Sequence, residues 1–110
     1  MNLASLFKCL GDPTRLRIVN LLLRGPLCVC DIQHSLCEPQ VKMSKHLGYM
    51  KKHGLLTVAR KANWNFYAIA EDLPKPVADS LEAIKSHATS DSQLKADLEQ
   101  LHQNEKAACC

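Results

Sequence analysis

The stretch Pro39-Gln40-Val41-Lys42-Met43-Ser44-Lys45-His46-Leu47-Gly48-Tyr49-Met50-Lys51-Lys52-His53-Gly54 decides the fold, together with the two short runs after it. Those runs are Leu56-Thr57-Val58-Ala59-Arg60-Lys61 and Trp64-Asn65-Phe66-Tyr67-Ala68-Ile69, with a polar Ala62-Asn63 between them. Met43, Leu47 and Met50 recur at helical spacing and mark a core-facing stripe on a helix running from Gln40 to about His53. Lys45, Gly48 and Lys52 fall opposite, flanked by Ser44 and Gln40 on one side and Lys42 on the other. Gly54 is suited to the left-handed stop that ends a helix. The two alternating runs beyond it read as a β-hairpin with a basic, Asn-bearing tip.

Working outward, Glu38-Pro39 separates this helix from an earlier one that begins near Cys28 and carries Val29, Ile32 and Leu36 on one stripe. A still earlier helix starts at Asp12-Pro13, with Asp12 as N-cap and Pro13 at the first helical position, and ends at Gly25-Pro26. Residues 3–10 form a short apolar helix in front of it. Downstream, Pro74 and Pro76 open a helix with Val77, Leu81 and Ile84 on one stripe. Asp91 caps a last amphipathic helix bearing Leu94, Leu98 and Leu101. The sequence therefore predicts a mainly α fold with a small β-hairpin, a winged helix-turn-helix of order α-α-α-α-β-β-α plus a C-terminal helix. One domain over residues 1–102 is expected, with a flexible Cys-containing tail over 103–110.

The 110 residues are 46% apolar and 23% charged, which fits one compact domain and argues against intrinsic disorder. Charges interrupt every apolar run before it reaches the roughly 20 residues that cross a bilayer. The first residues lack the features of a secretory signal, so a cytoplasmic protein without membrane attachment is expected. The net charge of +3 is unevenly spread. Residues 39–70 carry Lys42, Lys45, Lys51, Lys52, Arg60 and Lys61 and no acidic residue, whereas residues 71–110 carry four basic and eight acidic side chains. Such a basic block between near-neutral and acidic ends is an electrostatic footprint for a polyanion.

A helix-turn-helix followed by a cationic hairpin places its second helix in the major groove of duplex DNA. Gln40 can then pair with adenine and Ser44 can bond either base type, while Lys42, Lys45, Arg60 and Lys61 meet phosphates. His46 lies towards the buried side of the wheel, as a packed histidine or phosphate donor. A solvated basic face is the plain alternative for Lys51 and Lys52.

Four segments resemble the ArsR/SmtB family: Leu10-Gly11-Asp12-Pro13-Thr14-Arg15-Leu16-Arg17-Ile18, Leu27-Cys28-Val29-Cys30-Asp31-Ile32, Ser44-Lys45-His46-Leu47 and Gly54-Leu55-Leu56. The resemblance covers about residues 3–86. It implies a dimeric winged-helix repressor that leaves its operator DNA on binding a metal or metalloid, with the first and fifth helices at the dimer contact. Leu27-Cys28-Val29-Cys30-Asp31 is similar to the arsenic- and antimony-responsive branch, and Cys28 and Cys30 match its chelating thiols.

Thiolates suit trivalent arsenic and antimony, the expected inducers, better than oxygen ligands do. Two cysteines two residues apart on an ideal helix lie about 200° apart, so holding one ion requires an extended or distorted first turn. That conflict is the expected switch. The third ligand is open. Cys109-Cys110 can complete the site, form another or act as a scavenger, while Cys37 reads as a free thiol near a turn and Cys9 as a packed one. A zinc-type set of Cys28, Cys30, His34 and Cys37 would span two helical turns, about 10 Å between Cys30 and Cys37. A sensor of zinc, cadmium, lead or thiol oxidation is the alternative. An enzyme is not expected, since the chain has no Cys-x-x-Cys pair, phosphate-binding glycine loop or evident general base.

Overall fold

Asp12 and Asp91 show how local sequence starts the helices. The Asp12 carboxylate accepts the Arg15 backbone N–H at 3.0 Å, and Asp91 accepts that of Leu94 at 2.9 Å. Each satisfies a first-turn donor that no intrahelical carbonyl can reach. The computed structural model describes residues 2–107, with side chains as far as Gln103. Its elements are α1 (Leu3–Leu10), α2 (Pro13–Leu22), β1 (Leu27–Cys28), α3 (Val29–Leu36), α4 (Gln40–Lys52), β2 (Leu56–Lys61), β3 (Trp64–Ile69), α5 (Lys75–His87), a 3₁₀ turn (Ala88–Ser90) and α6 (Ser92–Ala107).

The winged helix-turn-helix is as expected, with one addition. The hairpin is part of a three-stranded antiparallel sheet of order β1-β3-β2. Leu27 pairs with Tyr67 and Cys28 with Phe66, so the segment expected to start a helix at Cys28 first adds a strand. Cys28 is extended (φ −79°, ψ 160°) and the helix begins one residue later. The wing gains from this, because an isolated two-stranded hairpin is marginal in water. Between β2 and β3 the two-residue tip Ala62-Asn63 joins the rung Lys61–Trp64, with Ala62 at positive φ.

The core gathers side chains from α1 to α5 and from Leu55 and Leu56 at the root of the wing, and α6 packs on α2 and α3 and adds Leu101. Leu6, Ile18, Leu21, Ile32, Met43, Leu47, Met50, Leu55 and Val77 have no exposed surface. Gly54, at φ 85°, ends α4 and lets the Leu55 N–H reach back to the Met50 carbonyl at 3.0 Å. That turn aims the chain into β2. Helix α6 continues to Ala107, past the boundary at residue 102 suggested by the sequence, because no Gly or Pro interrupts it after Ser92. Cys109 and Cys110 lie outside the described residues.

Candidate nucleic-acid interface and thiol site

Burial of Met43, Leu47 and Met50 fixes which side of α4 faces outward. Gln40, Lys42, Ser44 and Lys45 are all exposed, as are Arg60 and Lys61 on the wing. The structure therefore presents these six side chains on one open helix-and-wing unit. The α4 N-cap is Pro39, which offers no side-chain acceptor. The first-turn N–H groups of α4 stay available to an anion such as a phosphate.

Lys42 holds Glu38 at 3.1 Å, an exposed pair that binding to a phosphate would have to exchange. His46 is half-buried beside Asp12. Its charge adds to the lowering of the Asp12 pKa, which comes first from the hydrogen bond to the Arg15 backbone and also from the Arg15 cation.

Val41, an apolar residue outside the buried stripe, is 69% exposed. It shares a stripe with Lys45, Gly48 and Lys52, at spacings of four, seven and eleven residues. The helical wheel carries that signal; a reading that assigns every apolar residue to the core misses it.

Two arginines of α2 hold the recognition unit in place. Arg15 bonds the Cys9 carbonyl at 3.2 Å and the Lys8 carbonyl at 3.1 Å, and its guanidinium lies 4.4 Å from the centre of the Tyr49 ring. It therefore joins the end of α1 to α4. Arg17 grips Asp97 of α6 with two bonds of 2.8 and 2.9 Å, donates to the Leu36 carbonyl at 3.2 Å, and lies 3.6 Å from Glu38. Asp97 is buried and also accepts from Gln93 at 2.9 Å. One guanidinium thus ties α2, the end of α3 and α6 together.

The four described cysteines divide clearly. Cys9 packs in the core, and burial pushes its thiol pKa up. Cys28 is buried at the junction of β1 and α3, where its thiol donates to the Asp31 carboxylate at 3.3 Å. Cys30, in the first turn of α3 and half-buried, lies 3.6 Å from His34 Nδ1. Cys37 is exposed and ends α3 in the left-handed region (φ 55°, ψ 44°), a conformation that costs a non-glycine residue about 1–2 kcal/mol. Its thiol faces the His34 carbonyl at 3.7 Å.

Because Cys28 is extended and Cys30 helical, the two thiols leave the backbone from different local geometries. Among the described residues no three His, Cys, Asp or Glu side chains form a group able to hold a metal ion. The four-ligand set of Cys28, Cys30, His34 and Cys37 is accordingly not assembled in this conformation. Soft sulfur donors at Cys28 and Cys30 nevertheless fit the chemistry of a thiophilic ion, as a pair that needs a further ligand.

An α3-turn-α4 unit backed by a core and followed by a wing with a cationic tip defines a DNA-binding winged helix-turn-helix protein. Residues 12–58 match the family model "Bacterial regulatory protein, arsR family". An HTH-type transcriptional regulator of Methanocaldococcus jannaschii is 44% identical over 75 residues, covering 67% of this chain and 84% of that protein. The chain belongs to the ArsR family, whose members are DNA-binding transcriptional regulators and not enzymes. The arsenical resistance operon repressor of Escherichia coli is 43% identical over 70 residues, 63% of this chain and 60% of that repressor.

Among solved structures, the AntR antimony-specific transcriptional repressor has a TM-score of 0.61 at 32% identity, covering 73% of this chain and 70% of that one. The homodimeric winged helix-turn-helix domain of Mb0332 from Mycobacterium bovis has a TM-score of 0.65 at 27% identity, covering 77% and 76%. No described helix is long and apolar enough to cross a membrane.

Proposed function

We propose that the protein is a homodimeric cytoplasmic repressor that binds operator DNA and is released from it when Cys28 and Cys30 capture As(III) or Sb(III) as thiolates. The observation that carries this reading is the double role of Cys28. It is a rung of the sheet, opposite Phe66 of the wing, and it is also the residue on which α3 starts. In this reading, an ion held by its sulfur and that of Cys30 shifts the shape of residues 28–30.

That change is transmitted in two directions, through β1 into the wing strand β3 and through α3 into the turn before α4. Both DNA-contacting elements share the root that the thiols occupy. A ligand with unequal affinity for the two shapes shifts the equilibrium between them, which is all that release requires. When bound, a soft trivalent ion supplies a strong cross-link between sulfurs; Cys109 and Cys110 are the candidates for its third ligand.

In this reading Gln40 and Ser44 face base edges, and Lys42, Lys45, His46, Arg60 and Lys61 face phosphates. The arsenical and antimony repressors among the relatives support the inducer class, and the homodimeric Mb0332 domain supports the assembly.

A second reading rests on a specific contact pattern. The Asp31 oxygen and the His34 nitrogen beside the two thiols are donors that suit divalent ions such as zinc, cadmium or lead. Titrating a DNA-release assay with arsenite, antimonite and each divalent ion under reducing conditions separates the two. Replacing both cysteines (Cys28→Ser with Cys30→Ser) should leave operator retardation intact and abolish release by arsenite. Normal release by the double variant overturns the thiol assignment.

A further inference from the structure

We propose that Val41 is a specificity residue that packs against the 5-methyl group of a thymine in the operator's major groove. The proposal deepens the repressor reading and rests on it. Among the described residues Val41 is the most exposed large apolar side chain, at 69%, against 44% for Trp64, 43% for Leu3 and 39% for Phe7. A single exposed apolar side chain is ordinary on a protein surface. This one sits on the outward stripe of α4, next to Gln40 and one turn before Ser44 and Lys45, within a segment that carries no acidic residue.

Gly48 supplies an independent observation on the same stripe. Beyond the backbone of its own helix, a Cβ built there meets none of the described residues within 4 Å. Among the described residues no neighbour accounts for a bare position in the middle of a helix, where glycine is a poorer choice than alanine. A surface that approaches the helix from outside does account for it. Val41 lies about 10 Å along the axis from Gly48, a distance of about three base-pair steps. The helix face thus combines a clearance for close approach with an apolar contact at its leading end.

The chemistry of the groove selects the partner. Valine neither donates nor accepts a hydrogen bond, so it cannot engage a phosphate or the polar edges of guanine, cytosine or adenine. The thymine methyl is the apolar feature of the major-groove edge. A β-branched side chain in a helix also has one strongly preferred rotamer, so Val41 loses little freedom on contact. Its position in the first turn of α4 is where residues of a recognition helix reach base edges.

The test replaces each thymine of the footprinted operator singly by deoxyuridine, which lacks only the methyl. Binding of the full-length wild-type protein and of Val41→Ala is then measured at fixed salt. Val41 is exposed, so the variant is expected to fold, and its helical circular dichroism should match wild type. The expected result is one thymine per half-site whose replacement weakens wild-type binding about fourfold, the worth of burying one methyl, and leaves Val41→Ala nearly unaffected. Substituting both half-sites should multiply the loss to about fifteenfold.

Equal sensitivity of the two proteins at every thymine overturns the proposal, as does a wild-type protein indifferent to all of them. Either result leaves the repressor reading standing. A wild-type protein that retards no such DNA overturns both.

Discussion

Replacing Gly48 by alanine should stabilise the protein while weakening its grip on DNA. The position is exposed, lies inside α4 rather than at its ends, and has open space where the new methyl would go. Alanine is favoured over glycine in a helix interior by about 1 kcal/mol, mainly because the unfolded chain loses freedom. With no clash to offset this, a gain of about 0.5–1 kcal/mol is expected. For a domain near 100 residues that raises Tm by about 2–5 °C. Urea denaturation at fixed protein concentration should show a higher midpoint with an unchanged slope.

The same methyl occupies the gap left for a partner. Overpacking of a close-fitted contact costs about 1–3 kcal/mol, so operator affinity should fall by about 5- to 150-fold. Fluorescence anisotropy with labelled operator measures that directly. A variant less stable than wild type would refute the claim that the space is open. A more stable variant with undiminished affinity would refute the claim that the gap serves DNA.

The remaining predictions concern the scaffold. Arg17→Ala leaves the Asp97 carboxylate, only 2% exposed as a residue, without its cation, and should cost about 3–5 kcal/mol in urea denaturation. Arg17→Met combined with Asp97→Leu should recover most of that loss, whereas a cost below about 1 kcal/mol for the single variant would mean the pair is effectively solvated. The pKa of Asp12 is depressed in the folded protein below its ordinary 3.8 by the Arg15 backbone hydrogen bond first, so its charge stabilises the fold above that value and ceases to do so as pH falls through the folded pKa. The stability advantage of wild type over Asp12→Asn, about 0.3–1 kcal/mol at neutral pH, should therefore shrink as pH falls below that ordinary value and through the folded pKa, and a pH-independent difference would contradict this.

Much of the architecture can be read from local pattern. The Met43, Leu47 and Met50 stripe, the caps at Asp12 and Asp91, and the alternation on either side of Ala62-Asn63 each depend on neighbours a few residues away. The parts that escape such a reading depend on distant ones. A two-residue strand has no period to detect, and the Cys28–Phe66 rung joins residues 38 positions apart. The Arg17–Asp97 clamp joins residues 80 apart, with nothing in either local sequence to announce it.

The exposed positions of Gln40, Lys42, Ser44, Lys45, Arg60 and Lys61 are legible because charge and helical period agree. Val41 escapes notice when apolar character is equated with burial. Cys28 and Cys30 are identified by resemblance. Their different backbone conformations become visible only with the strand, since spacing alone puts both on one ideal helix.

The Arg17 clamp has a mechanical consequence. A carboxylate on the last helix, a carbonyl at the end of α3 and the acid that pairs with Lys42 are all within reach of one planar group. Such a brace removes slack: a twist applied to α6 is delivered to the turn before Gln40 instead of being absorbed along the way. In a two-fold assembly both reading heads would then be held at a set span and phase. Lengthening the operator's central spacer by one base pair would put the second half-site out of register.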